Sequence, residues 1–209
     1  MADWVTISSL ATAGGTLVLA GATFASVRSA NRAARAAERS MLAGMRPLLM
    51  PSHLEDPPQK IGFMDDKWLV APGGGGAAEV TDGAIYLGFA VRNAGSGIAV
   101  MHGWDVYRGD RLSDDHNPIE TFHALTRDLY IAAGDVGFWQ GALRDPATEE
   151  FADVRRLIER RERIVVDVLY GDHEGGQRVV TRFSMLPRDD DSWLVAAAKH
   201  WNLDRPDPR

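Results

Sequence analysis

The sequence predicts a mainly β protein: a transmembrane and stalk helix at the N-terminus, then an antiparallel β-sandwich carrying one added helix. Three observations predict it. Residues 4–27 hold no charge. After Pro47 the apolar residues change from a helical period to a period of two. Two turn-forming runs, Asn93-Ala94-Gly95-Ser96-Gly97 and Asp172-His173-Glu174-Gly175-Gly176, each separate a pair of alternating segments.

The anchor comes first. The 24 uncharged residues from Trp4 to Val27 would reach roughly 36 Å as a helix, against a hydrocarbon core of about 30 Å. Ala, Gly, Ser and Thr fill the gaps between Val5, Ile7, Leu10, Leu17, Val18, Leu19 and Phe24, so its hydrophobicity is moderate. A cleaved signal peptide would begin with positive charge, whereas this chain begins Met-Ala-Asp. Positive charge instead follows the apolar run. Arg28, Arg32, Arg35 and Arg39 recur at three- and four-residue steps and share one helix face. Arginine-rich flanks stay in the cytoplasm, which predicts a plasma-membrane, single-pass protein with its N-terminus outside and its C-terminal domain cytoplasmic. The same arginines suit anionic headgroups. Trp4 falls at the outer membrane–water boundary, where interfacial aromatics sit. Gly14 and Gly21, with Ala25, form a stripe of small residues of the kind that lets membrane helices approach. Pro47 ends the helical pattern.

The soluble part alternates. Ile85, Leu87, Phe89 and Val91 lead into the first turn, and Ile98, Val100, His102, Trp104 and Val106 return from it, which predicts an antiparallel pair. Ile164, Val166, Val168 and Tyr170 lead into the second; Val179, Thr181, Phe183 and Met185 return. Weaker strands are expected at 48–51, 67–71, 119–124, 128–132, 136–143 and 193–201. Asp145 reads as the N-cap of a helix starting at Pro146, with Phe151, Val154, Leu157 and Ile158 as its apolar stripe. The run Pro72–Gly76 reads as a mobile loop. The expected domains are 1–45, anchor and basic stalk; 46–204, sandwich; and 205–209, a flexible tail.

This layout resembles bacterial single-pass membrane proteins of uncharacterised function, in which an N-terminal anchor and stalk helix precede an immunoglobulin-like β-sandwich. The residues that carry the resemblance are Arg46-Pro47 after the stalk, Val91 to Ala99, and Val168-Leu169-Tyr170-Gly171-Asp172. The strand, Asn-x-Gly-x-Gly, strand pattern is similar to adhesion-type bacterial domains used for binding. The resemblance implies no catalytic residues and favours a scaffold or binding role. Twenty arginines against three lysines, with abundant alanine, fit a GC-rich bacterial genome.

Charge and composition narrow the function. The chain has no cysteine, which excludes disulfides, thiolate metal sites and a cysteine nucleophile. Its net charge of −6 hides a basic stalk of +4 over residues 28–46 and an acidic remainder of −9 from residue 47 onward. An acidic domain is a poor partner for nucleic acid. Neither a phosphate loop nor a serine-hydrolase elbow is present, and no cofactor or small-molecule substrate is indicated. Asp189-Asp190-Asp191 lacks the rest of a calcium loop. Asp114-Asp115-His116, with His123, has the residue types of a metal site but no fixed spacing. The leading expectation is a non-enzymatic, membrane-anchored interaction module, an accessory subunit or scaffold of a membrane complex. It would meet the lipid bilayer, and a membrane-protein or homo-oligomeric partner, through the anchor helix or a sandwich face. The alternative is a membrane-tethered hydrolase or metal-dependent enzyme using His116, His123 and nearby aspartates.

Overall fold

A computed structural model describes residues 3–107 and 114–204, in two compact units divided between Ala43 and Gly44. The first unit is one long helix, α1 (Trp4–Gly44). Its stretch Ile7–Leu42 is long and apolar enough to cross a membrane, and its apolar window is entirely unburied. The hydroxyls of Thr12, Thr16 and Thr23 each donate to the carbonyl four residues back at 2.8 Å. That internal satisfaction is what polar side chains need where no water is available.

Among its described residues the second unit holds eleven strands: β1 (Leu49–Pro51), β2 (Gln59–Gly62), β3 (Trp68–Ala71), β4 (Gly75–Val80), β5 (Ile85–Asn93), β6 (Ala99–Tyr107), β7 (His123–Ile131), β8 (Val136–Leu143), β9 (Ile164–Asp172), β10 (Arg178–Pro187) and β11 (Trp193–Asn202). A helix, α2 (Glu149–Glu159), stands between β8 and β9. All pairings are antiparallel. The main sheet runs β1-β5-β4-β11-β10-β9-β6-β7, with β8 paired to β5. Its one weak seam joins β4 to β11 through two residue pairs, Gly76–Trp193 and Gly75–Leu194. There the sheet folds into two layers. Across the gap Phe89 of β5 packs on Phe183 of β10 at 5.0 Å, and Trp139 of β8 meets Trp104 of β6 edge-on at 5.5 Å. The fold class read from the sequence is therefore the one found.

Two further clusters thicken the sandwich on its outside. The β2–β3 hairpin buries Ile61, Phe63, Leu69 and Ala71 against Ala84, Tyr86 and Ala90. On the other layer Ile119, Phe122 and Leu203 close over Leu169, Val180 and Trp201. At the domain's start, residues 45–48 cross the β5–β6 turn. A Cβ at Gly95 would lie 2.3 Å from the Arg46 carbonyl, and one at Gly97 would collide with that of Met45. Asn93 locks this crossing: its side-chain oxygen accepts from Leu48 and Gly95, and its amide donates to Gly97 and Ile131. The Asn-x-Gly-x-Gly run is thus a structural clamp.

Four expectations need correction. The glycine run is no mobile loop: Gly74, Gly75 and Gly76 are buried, and β4 begins within it because only glycines leave room for Trp193, Met185 and the Gly88 carbonyl. Thr148, not Asp145, caps α2, its hydroxyl oxygen accepting from Phe151 N at 3.2 Å. Asp145 instead accepts from Ala147 N and holds the turn before the helix. The strand expected at 119–124 is a 3-10 turn, Ile119–Thr121, and β7 starts only at His123. The strands on either side of residues 93–97, expected as an antiparallel pair, do not pair with each other: β5 joins β1, β4 and β8, and β6 joins β7 and β9. The tail 205–209 lies outside the described residues.

Candidate functional site

The anchor residues Trp4, Gly14, Gly21, Arg28, Arg32, Arg35 and Arg39 all lie on α1, and all are exposed. A Cβ at Gly14 or Gly21 would meet nothing within 4 Å. The two histidines paired in the sequence reading have different surroundings. His116 packs edge-on against Trp201 at 5.5 Å and its Nδ1 donates to the Asn117 carbonyl at 2.6 Å. The neighbouring aspartates face the outer sheet: the Asp114 carbonyl accepts from Lys199 and Trp201, its carboxylate lies 3.5 Å from Lys199 Nζ, and the Asp115 carbonyl accepts from Arg182. These contacts strap residues 114–117 over the outer sheet layer.

His123 is built into something else. It stands opposite Trp104 in the β6–β7 register, with the two rings 4.6 Å apart. Its Nε2 lies 2.9 and 3.1 Å from the two carboxylate oxygens of Glu150, in the first turn of α2. Asp105, next to Trp104, completes the group: one ligand-type atom from each of Asp105, His123 and Glu150 lies within 4.8 Å of the others. Among the described residues it is the one group of three His, Asp or Glu side chains that converges in this way. His116 is not in it.

The sheet explains the placement. β7 pairs with β6 through Leu129–Ile131, leaves it over residues 125–128, and returns at His123–Ala124. The departure faces a register shift in β6 between Met101 and Gly103. Bulges of this type re-aim side chains and interrupt pairing. Arg127, on the excursion, donates to the Gly62 carbonyl and to Gln140, each at 3.1 Å. A cleft of about 150 Å³ is lined by Trp104, His123, Leu125, Gln140 and Arg144, together with Phe63 and Met64. A Cβ at Gly141, which also lines the cleft, would lie 2.8 Å from the Trp139 ring.

Charge in this region is unevenly matched. Asp105 faces Asp167 on β9, which faces Arg182 on β10, which faces Lys199 on β11. Arg182 holds Asp167 with two bonds of 2.7 Å, both side chains almost wholly buried, and its guanidinium lies between the rings of Tyr107 and Trp201 at 4.5 and 4.9 Å. Asp105 is only 8% exposed and receives a 2.5 Å bond from Asn117. Burial pushes its carboxyl above the ordinary range, the Asn117 bond opposes this, and Glu150 and Asp167 add to the rise. No Lys or Arg nitrogen among the described residues pairs with either Asp105 or Glu150.

Sequence reasoning singled out His123 but missed Asp105 and Glu150. The usable signal was an aspartate in the middle of the strand Trp104-Asp105-Val106, though nothing local ties it to residue 150. Comparison with known proteins finds no matching family model, and no match among curated proteins or solved structures.

Proposed function

We propose that the chain is a membrane-anchored, non-enzymatic interaction module, an accessory subunit or scaffold that holds its sandwich at the cytoplasmic face of the plasma membrane. One observation carries this reading: an unburied helix, long and apolar enough to span a bilayer, begins the chain, and a separately packed β domain follows it. The arginine stripe supplies the orientation by the positive-inside rule. The partner is another membrane protein, because an anchored domain meets chiefly what shares its bilayer. The hairpin offers it a surface. Leu54, Met64, Trp68 and Val70 are all more than half exposed on one short segment, and outward aromatics are what anchor protein interfaces.

The test uses native membranes and a photo-crosslinking residue at position 68, with position 174 on the β9–β10 turn as control. A discrete adduct with a different membrane protein at 68, absent at 174, is expected. An adduct of twice the chain's mass would replace that partner with a second copy. No adduct at 68, together with a lone monomer in mild detergent, overturns the reading. Orientation is read separately, since the chain has no cysteine of its own. Arg205→Cys should react with an impermeant maleimide only after cells are permeabilised; reaction in intact cells reverses the topology.

A further inference from the structure

Three residues far apart in the sequence meet at one half-buried point. Asp105 comes from β6, His123 from the start of β7 and Glu150 from the first turn of α2. We propose that Asp105, His123 and Glu150 form a binding site for one divalent transition-metal ion of the zinc class, with its remaining coordination position turned to the adjacent cleft. The proposal is independent of the anchoring reading.

Donor chemistry points to the class of ion. One imidazole nitrogen with two carboxylates suits zinc and its neighbours, whereas calcium and magnesium sites are built from oxygen alone. Spacing agrees. Ligand atoms each about 2.0–2.2 Å from a single zinc lie roughly 3–3.5 Å from one another. His123 and Glu150 are already 2.9 Å apart, and Asp105 lies within 4.8 Å of both. The proton on His123 Nε2 that now bonds to Glu150 leaves on binding, and the ion takes its place between the same two side chains.

Charge supplies an independent reason. Two carboxylates, one of them almost fully buried, share the point with a single imidazole, and no Lys or Arg nitrogen among the described residues pairs with either. The next cation along the ladder, Arg182, is already committed to Asp167 through two bonds. Burying an unmatched carboxylate is expensive, and a dication matches two of them.

The surroundings hold the ligands in place. Asn117 fixes Asp105, the Trp104 ring backs His123, and the Thr148 cap sets the turn that presents Glu150. Such supporting contacts orient metal ligands. Three protein ligands leave a fourth position, as in catalytic zinc sites, while structural sites are usually closed by four. His123 is 41% exposed and forms part of the cleft wall, so that position faces the cleft and Arg144. A water or an anionic group fits there.

The experiment takes the full chain in mild detergent, freed of any tag, stripped with chelator and dialysed. Zinc is titrated calorimetrically, and cobalt is added in parallel for its visible absorption. Expected are one zinc per chain, a raised Tm, and an intense cobalt spectrum that zinc abolishes. His123→Gln and Glu150→Gln each weaken zinc by about tenfold or more, while His116→Gln and His173→Gln leave it unchanged. Both test variants keep a polar group of similar size at a partly exposed position, and their metal-free Tm and circular dichroism check folding. If either fails to fold, the parent's cobalt spectrum decides: only the pale six-water spectrum refutes the site. Absence of zinc binding by the parent at about 1 mM, where even a weak site would show about −4 kcal/mol of binding free energy, overturns the proposal. So does equal affinity in parent, His123→Gln and Glu150→Gln.

Discussion

Asp167 and Asp105 stand side by side in register on β9 and β6, and both are buried, but their surroundings differ. Asp167 has a guanidinium that reaches both of its oxygens and is itself stacked between two aromatic rings. Asp105 has one side-chain amide, the His123 imidazole and two further carboxylates nearby. The first arrangement is complete in itself; in the second, no Lys or Arg among the described residues forms an ion pair. The contrast separates a polar group that holds a fold together from one that the fold must tolerate. Arg182→Ala tests it with the largest effect. Removing the arginine leaves Asp167 charged and buried, which costs about 3–5 kcal/mol, and denaturant unfolding should show it as a large loss in midpoint at neutral pH. A loss below about 1 kcal/mol would mean that Asp167 does not depend on its pair.

Much of this domain was legible because its strands obey short-range rules. Ile85 to Val91 and Ile98 to Val106 mark strands that the structure shows within a residue or two of their expected ends, but the turn between them makes no hairpin: β5 pairs with β1, β4 and β8, and β6 with β7 and β9. The second turn does make the expected hairpin, β9 with β10. Where the rules failed, contacts distant in sequence had decided. Pro72–Gly76 has loop composition, but its small size is what lets β4 slip between β5 and the start of β11. The two strands flanking residues 93–97 look like a hairpin, but each finds its partners elsewhere in the chain. Of the site, His123 was visible as a residue type only. Its partners are 18 residues before it and 27 residues after it, and they are brought together by a break in β7 pairing that no local pattern announces.

Glu150 reaches His123 only if α2 begins where it does. Thr148 sets that start by accepting from Phe151 N, while its own hydroxyl donates to the Asp145 carbonyl. Thr148→Ala should therefore cost about 1 kcal/mol of stability, the usual value of a lost N-cap. It should also act at a distance on the acidic group: the fitted zinc affinity should fall, while Thr148→Ser restores both. If stability falls and zinc affinity does not, the cap supports the helix but does not position Glu150. An unchanged stability would instead remove Thr148 from the account of the helix start.

The smallest and most diagnostic effect is at Asp105 itself, measured in chelator. Burial first, then Glu150 and Asp167, raise its folded pKa above the ordinary value of 3.8 against the pull of Asn117 and His123. A group whose folded pKa is raised holds its proton more tightly when folded, so it supports the fold while protonated. That support is full below 3.8 and is lost as pH rises through the folded value. At neutral pH the ionised side chain therefore weighs against folding. Asp105→Asn cannot ionise, and its amide oxygen still accepts from Asn117. The metal-free variant should unfold at a higher Tm than the parent at pH 7–8, with the gap closing as pH falls towards the ordinary carboxylate range. Asp167→Asn should do the reverse at pH 7, because it breaks the pair with Arg182. Zinc should then invert the first result, since it stabilises only the chain that binds it and an amide is the poorer ligand. A parent that outlasts Asp105→Asn in chelator at pH 8 would show that Asp105 is as well matched as Asp167, and the charge argument for a cation at this point would fall with the contrast.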